Sequence, residues 1–126
     1  MSFEKIAVTG GAGLLGSHVM RRLSSKADLT SVDMKSPVEA NASLGSHVNA
    51  SINDYEAMKA AFKGLDAVIH LAAIPNPREA TAELTFKNNV QGAWTVFEAA
   101  AEAGVKRVVV ASSDSVFGLS YNPPDW

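Results

Sequence analysis

Three glycines spaced evenly between a short apolar run and a helical one narrow what this chain can fold into. They are Gly10, Gly13 and Gly16 in TGGAGLLG, Thr9 to Gly16. The run that leads into them, KIAVTG, Lys5 to Gly10, is short and β-rich and is stopped by the glycines. The segment after them, LLGSHVMRRLSSK, sets Leu15, Val19 and Leu23 four apart, which predicts an amphipathic helix. A strand that turns through glycines straight into a helix leaves the first helical N–H groups without intrahelical partners. Missing side chains also let a phosphate approach the backbone closely.

The rest of the chain repeats this alternation. LTSVD, residues 29–33, reads as a second strand, and the polar MKSPVEANASLGS after it, with Pro37 and Gly45, reads as an irregular excursion. A short strand around residues 47–50 precedes NDYEAMKAAFKG, where Asn53 or Asp54 can cap a helix and Gly64 can end it. DAVIHLAA, residues 66–73, is almost wholly apolar and suits a strand buried on both faces, with Pro75 and Pro77 breaking it. An alanine-rich stretch over about 81–103 carries Leu84, Val90, Trp94 and Phe97 at near-helical spacing and stops at Gly104. KRVVVASS, residues 106–113, is a fifth strand of the same buried kind. Strands alternating with helices predict an α/β fold of βαβ units with right-handed crossovers and a parallel sheet.

No repeat, low-complexity tract or linker divides the 126 residues, so residues 1–126 read as one domain. A formal charge of −2 offers no electrostatic footprint for nucleic acid or an anionic membrane. The absence of cysteine excludes disulfides, zinc-thiolate sites and a thiol nucleophile. His18, His47 and His70 are scattered without ligand spacing, so no metal is expected. MSFEKIAVTGG lacks the pattern of a secretory leader and no run approaches about 18 apolar residues, so a cytoplasmic setting is expected.

A small phosphate-bearing ligand remains, and Asp33 at the end of the second strand makes it specific. A carboxylate there can accept hydrogen bonds from adenosine ribose hydroxyls and would repel a 2′-phosphate. NAD is therefore expected over NADP, against the neighbouring charge of Lys35.

The ordered motifs TGGAGLLG, HLAA at 70–73, NNVQG at 88–92 and ASSDSVFG at 111–118 resemble those of the extended short-chain dehydrogenase/reductases. More narrowly they resemble the NAD-dependent epimerase/dehydratase family, which acts largely on nucleotide sugars. The resemblance spans the whole chain. It implies a Rossmann-type doubly wound sheet with strand order 3-2-1-4-5, truncated after strand five, and a substrate-binding part absent from these residues. By the same resemblance, Gly10, Gly13, Leu14, Leu15 and Gly16 form the dinucleotide loop and Asp33 holds the ribose. Ser51 stands where the family usually has an adenine-binding aspartate, with Ile52 in the apolar position beside it. Leu71, Ala72 and Ala73 match the strand end over which the cofactor lies, and Asn89 the asparagine toward the nicotinamide.

In this family a tyrosine and a lysine four residues later act with a serine or threonine. Positions i and i+4 share a helix face, the ammonium favours tyrosinate, and the hydroxyl holds the substrate oxygen whose proton moves as hydride leaves for NAD. Ser113 falls at the family's catalytic hydroxyl, with Asp114 beside it. Tyr121 is followed by Pro123, Pro124 and Asp125 in place of a helix and a lysine. Tyr55 and Lys59 have the interval, but they precede the serine strand and open the helix after strand three. The expected function is the NAD-binding portion of an NAD-dependent sugar epimerase, dehydratase or dehydrogenase, acting on a nucleotide sugar or uronate and inactive alone. The alternative is a non-catalytic NAD-binding module that works through association. The apolar fifth strand, with no following helix and sixth strand in these residues, would leave an edge and a bare face that invite pairing, so a dimer or higher homo-oligomer is expected, with the long helix carrying Trp94 and Phe97 near the contact.

Overall fold

The computed structural model describes residues 3–76, 78–113 and 116. β1 (Lys5–Thr9), β2 (Asp28–Asp33), β3 (Ser46–Asn49), β4 (Ala67–His70) and β5 (Arg107–Val110) form one sheet in the order β3-β2-β1-β4-β5. Every neighbouring pair is parallel. This is the doubly wound order expected above.

The helices lie between the strands. α1 (Leu14–Leu23) follows β1, α2 (Tyr55–Phe62) follows β3, and α3 (Ala82–Phe86) and α4 (Gly92–Glu102) lie between β4 and β5. Strand alternation sends Ile6, Val8, Leu29 and Ala67 to one face, where Met20 of α1 meets them. Ala7, Val32 and Val68 face the other way, onto Met58 and Phe62 of α2 and Val96, Ala99 and Ala100 of α4. At the lower edge Asp66 Oδ2 accepts the N–H groups of Glu4 and Lys5 at 3.0 and 3.1 Å, and Lys106 pairs with Oδ1 at 3.1 Å. These donors, Lys106 first, hold the Asp66 carboxyl below its usual range.

Four local features depart from the sequence reading. The polar excursion contains a short 3-10 helix, Glu39–Leu44. The buried face of α1 is Gly16, Ser17 and Met20 rather than a stripe through Leu15, which is 57% exposed. The long helix is interrupted by a π turn, Lys87–Gln91, between α3 and α4. β5 is largely exposed, Val109 and Val110 at 51% and 45%, although its sequence is as apolar as that of β4. Burial of a strand depends on what covers it, and among the described residues the α1 side of β5 has no helix of its own.

Strand order reverses between β1 and β4, and both open there toward their C-terminal ends. In open parallel sheets that crevice is where ligands bind. The glycine loop lies directly above it.

Candidate functional site

The loop is built from backbone. Gly10 takes φ 73°, a left-handed conformation that favours glycine, so that its N–H donates to Val32 O at 2.8 Å and its carbonyl accepts Gly13 N–H at 3.0 Å. A side chain at Gly10 would meet Ala72 N at 2.8 Å, and one at Gly16 would stand 2.0 Å from Gly10 O. The two glycines therefore allow the loop to press onto the strand end at 71–72 and α1 to press onto the loop. Gly13 caps α1 without a side chain, and the first turn of α1 has no acidic residue. The first bond into the helix is Ser17 N–H to Gly13 O, 2.9 Å. Earlier N–H groups thus point out of the helix end, a ready seat for a phosphate. Leu14 and Leu15 border that end at 83% and 57% exposure.

Gly11, which the spaced pattern passes over, is as constrained as its neighbours. A Cβ there would lie 2.5 Å from Ser31 Oγ, and Ser31 in turn contacts His47 Nδ1 at 3.2 Å. The adjacent Gly10–Gly11 pair was the available signal. Asp33 closes the same loop from the end of β2, Oδ2 accepting Ala12 N–H at 3.1 Å and Oδ1 accepting Lys35 N–H at 2.9 Å.

Beyond β4, Leu71 donates its N–H to Thr9 O at 3.1 Å, and the backbone of Leu71 and Ala72 lies against Gly10, with Ala73 following. Asn89 is engaged by the chain beyond β4. Its Oδ1 accepts Ile74 N–H at 2.8 Å and its Nδ2 donates to Ile74 O at 2.9 Å, with Asn88 Nδ2 on the same Oδ1 at 2.9 Å. The π turn is what lets a helical asparagine make this two-point grip on the chain beyond β4. Ser51 and Ile52 follow β3. Ser51 Oγ accepts Asn53 N–H at 3.2 Å, while Ile52 is 5% exposed and lies under Gly92, where a Cβ would come within 2.5 Å of Ile52 Cδ1.

Ser113 is exposed past the end of β5, on the same sheet edge and one strand over from Leu71–Ala73. Asp114, Tyr121 and Asp125 lie outside the described residues. Tyr55 and Lys59 do share a face of α2, yet both are spent on Glu102 of α4: the hydroxyl donates to one carboxylate oxygen and the ammonium to the other. The Glu102 bond raises the Tyr55 pKa, the reverse of what a tyrosinate base needs, and Lys59 offsets this only in part. The pair therefore ties two helices together.

Under the loop, Thr9 Oγ1 and His70 Nδ1 share a 2.7 Å hydrogen bond joining the ends of β1 and β4, with both residues buried. Burial lowers the His70 pKa, so the imidazole is neutral in the fold. An unfolded histidine titrates at about 6.5, so the unfolded chain takes up a proton that the native chain resists. The stability His70 contributes is thus full above about pH 6.5 and declines as pH falls below it. Urea denaturation at pH 7.5 and 5.5 should show this decline, and it should shrink in His70→Asn; an unchanged decline would assign it elsewhere.

Comparison with known proteins places these features in context. The model of the NAD dependent epimerase/dehydratase family matches residues 6–125. An L-arabinose 1-dehydrogenase (NAD(P)(+)) of Haloferax volcanii is 37% identical over 121 residues, covering 96% of this chain and 45% of the relative. Among solved structures, a uronate dehydrogenase mutant of Agrobacterium tumefaciens complexed with NAD superposes with TM-score 0.76 at 32% identity, over 87% of this chain and 41% of the other. MoeE5 in complex with UDP-glucuronic acid and NAD superposes with TM-score 0.79 at 33% identity, over 90% and 38%. The chain spans less than half the length of these relatives.

Proposed function

The chain belongs to the NAD-dependent epimerase/dehydratase family, and from that membership we propose that these residues hold NAD for an enzyme that oxidises a sugar hydroxyl. The observation that carries the reading is the uncapped start of α1 set over Gly10, Gly13 and Gly16, with Asp33 bonded to the same loop. The pyrophosphate would take the N–H groups of residues 14–16, which precede the first bond into the helix, and the adenosine ribose would take Asp33. Ser51 and Ile52 border the adenine end, and Leu71–Ala73 underlie the cofactor toward Ser113. NAD supplies the hydride acceptor, and Ser113 would hold the substrate oxygen in the whole protein. The substrate class is a sugar, free as a uronate or linked to a nucleotide, in keeping with the compounds named for the relatives.

These 126 residues are proposed to bind and not to turn over, because their one Tyr-x-x-x-Lys interval, Tyr55 to Lys59, is locked to Glu102. That lock also supports a second reading, a non-catalytic NAD-binding module. Calorimetric titration tests what both share. NAD should bind, and NADP should bind at least about tenfold more weakly, because its 2′-phosphate would face the Asp33 carboxylate. Failure of NAD to bind would end the proposal.

Leu84, Phe86, Val90, Trp94 and Phe97 are all exposed along α3, the π turn and α4. We assign this apolar stripe to a contact between two copies of the chain. Sedimentation should find a dimer, and a compact monomer at high concentration would reject it. Among the described residues no helix is long and apolar enough to cross a membrane.

A further inference from the structure

We propose that Asp33 is also a positioning residue, a latch that holds the glycine loop in its ligand-ready shape before any dinucleotide arrives. The inference rests on the NAD reading above and deepens it.

Ser31 and Asp33 of β2 are two apart and so point to the same face of the sheet. Each engages one of the two central loop residues. The buried Ser31 hydroxyl fills the space beside Gly11, backed by His47 from β3. Asp33 Oδ2 accepts the Ala12 N–H, and Lys35 N–H fixes the other oxygen, which sets the plane of the carboxylate. β2 thus reaches the loop with a side-chain hydrogen bond at Ala12 and a side-chain contact at Gly11.

A loop that carries three glycines has wide conformational freedom, and every N–H that a phosphate would use depends on its being folded. A charge-assisted bond from Asp33 to Ala12 restricts that freedom in advance, so less order remains to be imposed on binding. The carboxylate reaches the ribose with its remaining lone pairs, already oriented by the two backbone donors. Asp33 therefore serves recognition twice, once through the ribose hydroxyls and once through the loop.

The two roles separate with an NAD analogue that lacks the adenosine 2′- and 3′-hydroxyls. If Asp33 only touches the ribose, Asp33→Ala leaves the affinity for this dideoxy analogue unchanged. The latch requires a further loss, about three- to tenfold, the scale of one hydrogen bond. Asp33→Asn, whose carboxamide oxygen can accept the Ala12 N–H, should restore most of it. Hydrogen exchange at the Ala12 amide in the ligand-free chain should quicken in Asp33→Ala and not in Asp33→Asn. Unchanged analogue affinity and exchange in Asp33→Ala overturn the latch, as does an equal loss in both variants. Absence of NAD binding by the unaltered chain would instead overturn the cofactor reading itself.

Discussion

Gly16→Ala should weaken NAD binding by about thirtyfold or more and cost about 2–4 kcal/mol of stability, although it places a better helix former inside α1. Propensity alone predicts a gain near 1 kcal/mol. Sterics overrule it, because the added methyl would stand 2.0 Å from Gly10 O, 2.7 Å from Gly10 C and 2.8 Å from Gly11 Cα. All three are backbone atoms of the phosphate loop, so no rotamer change relieves the clash. Either α1 moves away from the sheet or the loop gives up its bonds to Val32 and Gly13. Both displace the N–H groups on which the pyrophosphate would rest. Gly64→Ala is the control, with the same class of substitution at φ 75° and nothing within 4 Å. It should cost about 1 kcal/mol through backbone strain and leave NAD affinity alone. Chemical denaturation and calorimetry on the two variants separate these effects. Wild-type NAD affinity in Gly16→Ala would show that the loop is not the seat of the cofactor.

That contrast also shows what a sequence carries and what it does not. The alternation of strands and helices was legible because each element announces itself over a few neighbouring residues: KIAVT before the glycines, Asp54 capping α2 by accepting Ala57 N–H at 3.0 Å, Gly64 and Gly104 at positive φ after α2 and α4. The loop and Asp33 were legible for the same reason, since both sit at strand ends. Contacts between distant residues left no local trace. His70 looked like one more member of an apolar strand, and its partner Thr9 is 61 residues away. Leu15 kept the helical interval but not the buried face, because Gly16 brings α1 so near the loop that the contact passes through Gly16 and Met20. The interval between Tyr55 and Lys59 was visible, whereas Glu102, which decides what that interval does, lies on another helix. The π turn was invisible to any periodicity, since it goes with a side chain that bonds the backbone 15 residues earlier.

Asn89, that side chain, should be the costliest single polar residue near the crevice. Asn89→Ala removes both bonds to Ile74 and leaves a partly buried N–H and C=O to find other partners, a loss of about 2–4 kcal/mol at about 1–2 kcal/mol for each group. NAD affinity should fall with it, because Ile74 directly continues the edge formed by Leu71, Ala72 and Ala73, and Ala72 is the surface on which Gly10 rests. Asn89→Asp distinguishes the grip from mere bulk. The carboxylate keeps an acceptor for Ile74 N–H but sets negative charge against Ile74 O in place of the Nδ2 donor. At pH 7 it should therefore be at least as destabilising as alanine, in spite of its matching shape. Acid should narrow its deficit relative to the unaltered chain: a protonated carboxyl can donate to Ile74 O in place of Nδ2, so the folded state gains from the proton as pH falls toward the carboxylate range. Urea denaturation of the three proteins between pH 7 and 4.5 measures it. A deficit in Asn89→Asp that is small and independent of pH would mean that the second bond of the grip contributes nothing, and that the π turn is held by other contacts.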